Sequence, residues 1–169
     1  LNKMVTEFKD NKVYLKDGST IATRTFIWVS GVAGVKIDNM PKESVGRGNR
    51  IEVDAYNQVK GMSDVFCIGD QSIMPDGDEN WAGGHPQLAQ VAIQQGSLLA
   101  ANLKRKEEGK SLKPFKYKNL GTMATVGRNR AVAEFKKIKM AGFVAWVMWL
   151  IVHLRSILGV RNKIIVFYN

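Results

Sequence analysis

An α/β fold class, α+β if the chain is a fragment, is predicted from three features of the sequence. Short apolar runs of strand length end at glycine, a breaker-poor stretch of about twenty residues follows Pro86, and no internal repeat interrupts them. With 45% hydrophobic and 24% charged residues over 169 positions, the composition excludes a disordered chain and a polytopic membrane protein.

Taken in order, Val13–Lys16, Asp17-Gly18 and Ile21–Thr23 predict a hairpin, because Asp-Gly tolerates the positive φ of a tight turn. Phe26–Val29 is a continuous apolar run, the pattern of a strand covered on both faces, and it ends at Ser30-Gly31-Val32-Ala33-Gly34. Ile51–Asp54 and Val65–Ile68 predict two further strands, the second closed by Gly69-Asp70. Residues 71–86 read as a long loop. A helix is expected from Pro86 to about Lys106, with Gly96 the only breaker. Residues 104–118 read as a basic linker, Gly121–Gly127 with Ala131–Phe135 as a hairpin, and Lys139 to about Leu158 as a second helix stopped by Gly159.

Charge divides the chain. Residues 1–103 carry a balance of −2 and residues 104–169 a balance of +12, giving the net +10. A basic half on a near-neutral body calls for an anionic partner at that half alone. Met140–Val152 is 13 residues without a charge, too short to span a bilayer, which takes about 20. Lysines and arginines flank it, including Arg155, Arg161 and Lys163, and Trp146 and Trp149 are amphipathic rings suited to a membrane interface. This pattern fits a monotopic foot lying on lipid, with burial of the same helix against protein as the alternative. Nucleic acid is not expected as a partner, because the aromatics sit in an apolar block and do not alternate with Lys and Arg.

One cysteine, Cys67, leaves no intrachain disulfide and reads as core; with two histidines, His85 and His153, a multi-histidine metal site is not expected, nor is any metal. Position 1 is Leu, and the opening residues carry no apolar signal segment, so the start reads as a cut inside a longer protein.

Two local patterns carry candidate chemistry. Gly69-Asp70 sets a carboxylate at the end of a strand, where it either accepts ligand hydroxyls or caps a turn. Gly83-Gly84-His85-Pro86 leads into a helix whose free N–H groups suit an anion. Gln90 and Gln94 share one face of that helix, facing either solvent or a ligand. Ala89, Ala92 and Gly96 keep its surface small enough for a flat ring.

In VFCIGDQ followed by GGHPQLAQVAIQQG, the sequence resembles the C-terminal part of type II NADH:quinone oxidoreductases, single-subunit flavoenzymes with two dinucleotide-binding domains. VYLKDGSTIATRTFIWVSGV is similar to the end of that family's NADH domain, PFKYKNLGTMATVGRNRAV to the segment before its membrane anchor, and AGFVAWVMWLIVHL with GVRNKIIVF to the anchor. The resemblance implies a remnant of the two-domain flavoprotein fold plus C-terminal membrane-anchor helices. Residues 1–50 then end the NADH-binding domain, 51–110 belong to the FAD-binding domain and 111–169 to the anchoring region. It also implies FAD as cofactor and NADH as substrate, with hydride passing to the flavin and then to a membrane quinone without proton pumping.

By position, Gly69 and Asp70 then bind FAD, the backbone of Leu88, Ala89 and Gln90 faces the flavin ring, and Gly31 lies on the nicotinamide side. Gln90 and Gln94 lie on the quinone side. Gln90 and Lys118 take the catalytic roles, orienting the quinone and stabilising the reduced flavin electrostatically. The implied location is the cytoplasmic face of a bacterial inner membrane. No GxGxxG occurs in the 169 residues, so the chain alone is expected to bind neither nucleotide tightly and to be inactive. Free strand edges make a homo-oligomer an expectation. The competing readings are a soluble pyridine-nucleotide flavoprotein reductase and a non-catalytic membrane-surface module.

Overall fold

A computed structural model describes residues 3–29, 31–76, 79–135 and 138–156. The chain forms two units, residues 1–33 and 34–169.

The first unit is an antiparallel sheet of β1 (Val5–Lys9), β2 (Lys12–Leu15) and β3 (Thr20–Ala22), in that order. The expected hairpin is β2–β3, with Val13 opposite Ile21 and Gly18 at φ +80° in the turn. The added strand β1 is joined through Asp10 and Asn11, both at positive φ as a tight hairpin turn demands. Val13 and Leu15 are the buried side chains of β2. Phe26–Val29 corrects the sequence reading: it forms no strand, and Val29 is 89% exposed. No described strand supplies it with a ladder. Phe26 instead stacks on Phe8 at 4.9 Å, with Trp28 alongside at 5.9 Å.

In the second unit, β4 (Ile51–Glu52) pairs parallel with β5 (Ser72–Ile73), which lies in the stretch expected to be loop. Val65–Ile68 is a second correction. Among the described residues a single bridge, Gln58 with Phe66, engages it, and Val65 and Ile68 are exposed. The helix α1 spans Ala89–Glu107, so it starts three residues after Pro86. It ends in a Schellman turn: Gly109, at φ +65°, donates to the Lys106 carbonyl, and Lys110 donates to that of Arg105. Lys104, Arg105 and Lys106 oppose the helix dipole there.

Ile51, Val53, Val59, Met74, Val91 and Phe115 make the core under α1. Phe115 comes from the supposed linker, yet is 2% exposed. The chain then enters an antiparallel sheet of β6 (Thr122–Thr125), β7 (Ala131–Phe135) and β8 (Ile138–Gly142). The hairpin β6–β7 matches expectation. Strand β8 replaces the first turn of the expected second helix, because the Ile138-to-Ala141 backbone completes the free edge of β7. Gly142, at φ +84°, turns the chain into α2 (Phe143–Ser156). Ala131, Ala133 and Ala145 let α2 lie close on the sheet. Among the described residues no helix is long and apolar enough to cross a membrane. Gly159 and the apolar run 164–168 lie outside the described residues.

Candidate functional site

Gly69 and Asp70 sit in a short 3-10 turn, Gly69–Gln71, directly before β5. Gly69 holds φ +70°, and its N–H donates to Gln95 Oε1 at 2.7 Å. A side chain at Gly69 would place its Cβ 3.3 Å from that of Ala92 on α1. The Ile68 side chain reaches the same helix at Gly96, 3.6 Å from where a Cβ there would lie. The small residues of α1 thus receive the 68–69 turn, a packing role the flat-ring reading did not include. Gln95, 2% exposed, is a site-shaping residue that no local pattern of residues singles out.

Asp70 is exposed, and among the described residues its carboxylate accepts no hydrogen bond, while its carbonyl accepts from Gln87 Nε2 at 3.1 Å. Arg50 provides the nearby positive charge. Its guanidinium donates to the Ser72 carbonyl and, at 3.4 Å, to that of His85. Burial lowers the Arg50 pKa, and the charges of Asp70 and Cys67 work against that. Burial likewise pushes the Cys67 thiol up, as a half-buried core residue requires. On the other side of Asp70, Gln71 grips Val35 at both backbone atoms, accepting from its N–H at 2.8 Å and donating to its carbonyl at 3.0 Å.

Helix α1 starts beside this turn. Its N-cap is Leu88, whose side chain cannot cap, so the N–H groups of Ala89 and Gln90 have no side-chain acceptor from the cap. Gln90 and Gln94 are half-buried, and their amides bond the 118–121 backbone. Gln90 accepts from the Leu120 N–H at 3.0 Å and donates to the Gly121 carbonyl at 2.9 Å. Gln94 accepts from the Lys118 N–H at 3.0 Å and donates to the Lys118 carbonyl at 2.9 Å. Two turns further on, Asn102 holds Lys113 the same way, at 2.9 and 2.8 Å. The Lys118 side chain is exposed and forms no ion pair among the described residues. Under the segment, His85 packs its ring on Phe115 at 5.1 Å and Tyr117 at 5.8 Å, and Trp81 meets Tyr117 at 5.2 Å. His85 is buried there.

In α2, Trp146 and Trp149 are half-buried against the β6–β8 sheet. Phe143, Val144 and Ile151 are exposed, as is Arg155. His153 stacks on Trp149 at 4.0 Å, with its Nδ1 2.7 Å from the Trp149 carbonyl. Arg161 and Lys163 lie outside the described residues. Gly31 belongs to the first unit, at φ +84° with open space around its Cα. Among the described residues no cluster of candidate ligands for a metal ion occurs.

Residues 1–96 match the family model described as pyridine nucleotide-disulphide oxidoreductase. The chain belongs to that family. Residues 119–169 match the NDH2 C-terminal domain, which bears out kinship with type II NADH:quinone oxidoreductases. Relatives include the type II NADH:quinone oxidoreductase NdhA of Mycobacterium tuberculosis, 35% identical over 97% of this chain and 36% of that protein. The internal alternative NAD(P)H-ubiquinone oxidoreductase A1 of Arabidopsis thaliana mitochondria is 33% identical over 98% of this chain and 36% of that protein. The chain of this oxidoreductase family member therefore spans about a third of these relatives' length.

The fold agrees. The NDH2 structure from Plasmodium falciparum in complex with NADH matches with a TM-score of 0.76 at 13% identity, over 99% of this chain and 49% of that one. The sulfide:quinone oxidoreductase of Aquifex aeolicus matches at 0.67 and 17% identity, over 96% of this chain and 41% of that one.

Proposed function

We propose that this chain is the C-terminal part of a flavoenzyme that oxidises NADH and reduces a membrane quinone through FAD, without proton pumping. The observation that carries the reading is the uncapped start of α1 beside the Gly69–Asp70 turn. Leu88 leaves the first-turn N–H groups available to an electron-rich ring edge, and the Asp70 carboxylate, which has Arg50 as a nearby charge but accepts no hydrogen bond among the described residues, is available to ligand hydroxyls. These donors and acceptors fit a flavin nucleotide. When bound, it supplies the two-electron relay between the nicotinamide and the quinone.

The chain's own residues do the rest. Gly69 lets the turn approach α1, so that Asp70 is presented at a fixed height beside the helix start. The N–H groups of Ala89 and Gln90 would favour negative charge on a bound ring edge. The Gln90 amide keeps one donor hydrogen and one lone pair beyond its two backbone bonds, enough to orient a quinone carbonyl. Lys118 carries an ammonium that lowers the energy of nearby negative charge. Gly31 serves the nicotinamide side, within the end of the NADH domain that residues 1–50 represent; residues 51–110 continue the FAD domain and 111–169 the anchoring region.

The reading of membrane attachment is supported by the surface of α2. Its exposed Phe143, Val144 and Ile151 with Arg155, together with the tryptophans, Arg161 and Lys163, suit the surface of an anionic leaflet. We place that surface on the cytoplasmic side of a bacterial inner membrane, with homo-oligomers formed through free strand edges.

The test is steady-state NADH oxidation by a protein continued upstream to the length of its relatives. Turnover with a membrane quinone and a flavin absorbance spectrum are expected, while the 169-residue chain alone shows neither. A colourless extended protein that leaves NADH unoxidised overturns the proposal.

A further inference from the structure

Three carboxamides on one helix hold three successive points of a single unpaired segment. Along α1 they are Gln90, Gln94 and Asn102; along the segment their partners run the opposite way, Leu120 and Gly121, then Lys118, then Lys113. Gln94 and Asn102 each engage the N–H and the carbonyl of one residue, the pairing a neighbouring β-strand would offer. The segment has no other regular structure between Lys110 and Gly121, so these bonds take the place of a ladder.

The spacing fixes the register. From Gln94 to Asn102 the helix rises about 12 Å, whereas five extended residues from Lys113 to Lys118 span about 16 Å. The difference is taken up where Phe115 dips into the core and its N–H reaches the Ala55 carbonyl at 2.7 Å. A slip of two residues, the smallest that keeps the same face toward α1, would pull Phe115 out of that core. Asn102 is 3% exposed and stands at the end where the segment leaves the helix, so its clasp sets the position from which the others are reached.

We propose that Asn102 is a positioning residue that, through this amide ladder, sets the register of residues 113–121 and so the placement of Lys118 and of the Leu120-Gly121 backbone that holds Gln90 on the quinone side. What Lys118 is placed for rests on the function proposed above.

The experiment measures amide hydrogen exchange in the 169-residue chain and in Asn102→Asp. The carboxylate keeps an acceptor for the Lys113 N–H but sets an oxygen against its carbonyl. Asn102→Leu serves as a second variant, and Ser97→Ala, whose hydroxyl among the described residues bonds its own helix at Ile93, as a control. Exchange is expected to rise about tenfold at Lys113, Lys118 and Leu120 together, the scale of losing two ordinary hydrogen bonds. Cys67, whose N–H bonds to the Asn57 carbonyl, is expected not to change. A rise confined to Lys113 shows independent clasps and overturns the ladder. A rise that includes Cys67 shows a general loss of stability and equally overturns it.

In the protein continued to its relatives' length, Asn102→Asp is expected to raise the KM for quinone several-fold and to leave NADH oxidation by a small water-soluble acceptor unchanged. An unchanged quinone KM overturns the positioning role. If the unsubstituted protein reduces no quinone, the proposed function fails and the placement role with it, while exchange still decides the ladder.

Discussion

Gln94 holds Lys118 by its backbone, at both the N–H and the carbonyl, and leaves the lysine ammonium exposed. The two side chains therefore separate structure from chemistry. Lys118→Ala is expected to change unfolding free energy by less than about 0.5 kcal/mol, as surface substitutions do. Gln94→Leu removes two hydrogen bonds and is expected to cost about 1–3 kcal/mol. Urea denaturation of both variants checks the contrast. Equal losses would mean that the Lys118 side chain has a structural contact of its own.

Gly69 and Gly83 both hold a left-handed backbone, but among the described residues Gly69 alone of the two has a neighbour where a Cβ would go. Gly83→Ala carries the conformational penalty alone, about 1–2 kcal/mol. Gly69→Ala adds the 3.3 Å approach to Ala92 and is expected to be the more destabilising of the two, with loss of flavin binding in the extended protein. Thermal unfolding gives the first comparison and the visible spectrum the second.

Acid should loosen the β2–β3 hairpin. The Ser19 hydroxyl, then Lys3, hold the Asp17 carboxyl well below the usual carboxylate range. A lowered folded pKa contributes stability above the unfolded value, about 3.9, and that contribution is lost as pH falls toward the folded one. An NMR titration is expected to find the Asp17 midpoint below those of the other aspartates. Asp17→Asn is expected to remove this part of the acid dependence while leaving the β6–β8 sheet unaffected.

The two faces of α2 predict different outcomes. Val144→Asp with Ile151→Asp changes exposed positions, and is expected to lower co-sedimentation with anionic vesicles several-fold without altering the fold. Trp146→Ala opens the contact with Ala131 and Ala133 and is expected to destabilise the β6–β8 sheet by about 2–4 kcal/mol. Unchanged vesicle binding in the Asp variant would place the lipid contact elsewhere.

The sequence made some of this legible because the determinants are local. Asp17-Gly18 announces its hairpin, and the breaker-poor run after Pro86 announces α1. Kinship was legible in the order of VFCIGD and AQVAIQQG. The failures are of another kind. Phe26–Val29 and Val65–Ile68 have the composition of covered strands, but a strand needs neighbours, and none of the described residues flanks them fully. Strand β8 was hidden because Met140-Ala141-Gly142 continues into an apolar run, and short apolar runs do not reveal their period. Gln95, Asn102 and Arg50 act on backbone atoms 22 or 26 residues away, or across a chain reversal at Gly109, and no pattern of neighbouring letters encodes such a partner.

The most direct test of the account is stopped-flow separation of the two half-reactions in a protein extended to its relatives' length. With NADH alone, flavin absorbance is expected to bleach at similar rates in the unsubstituted protein and in Gln90→Leu. On mixing with a membrane quinone, its return is expected to slow at least tenfold in the variant. Equal rates of return in the two proteins would contradict a quinone-side role for the start of α1, and failure of NADH to bleach either would contradict the account as a whole.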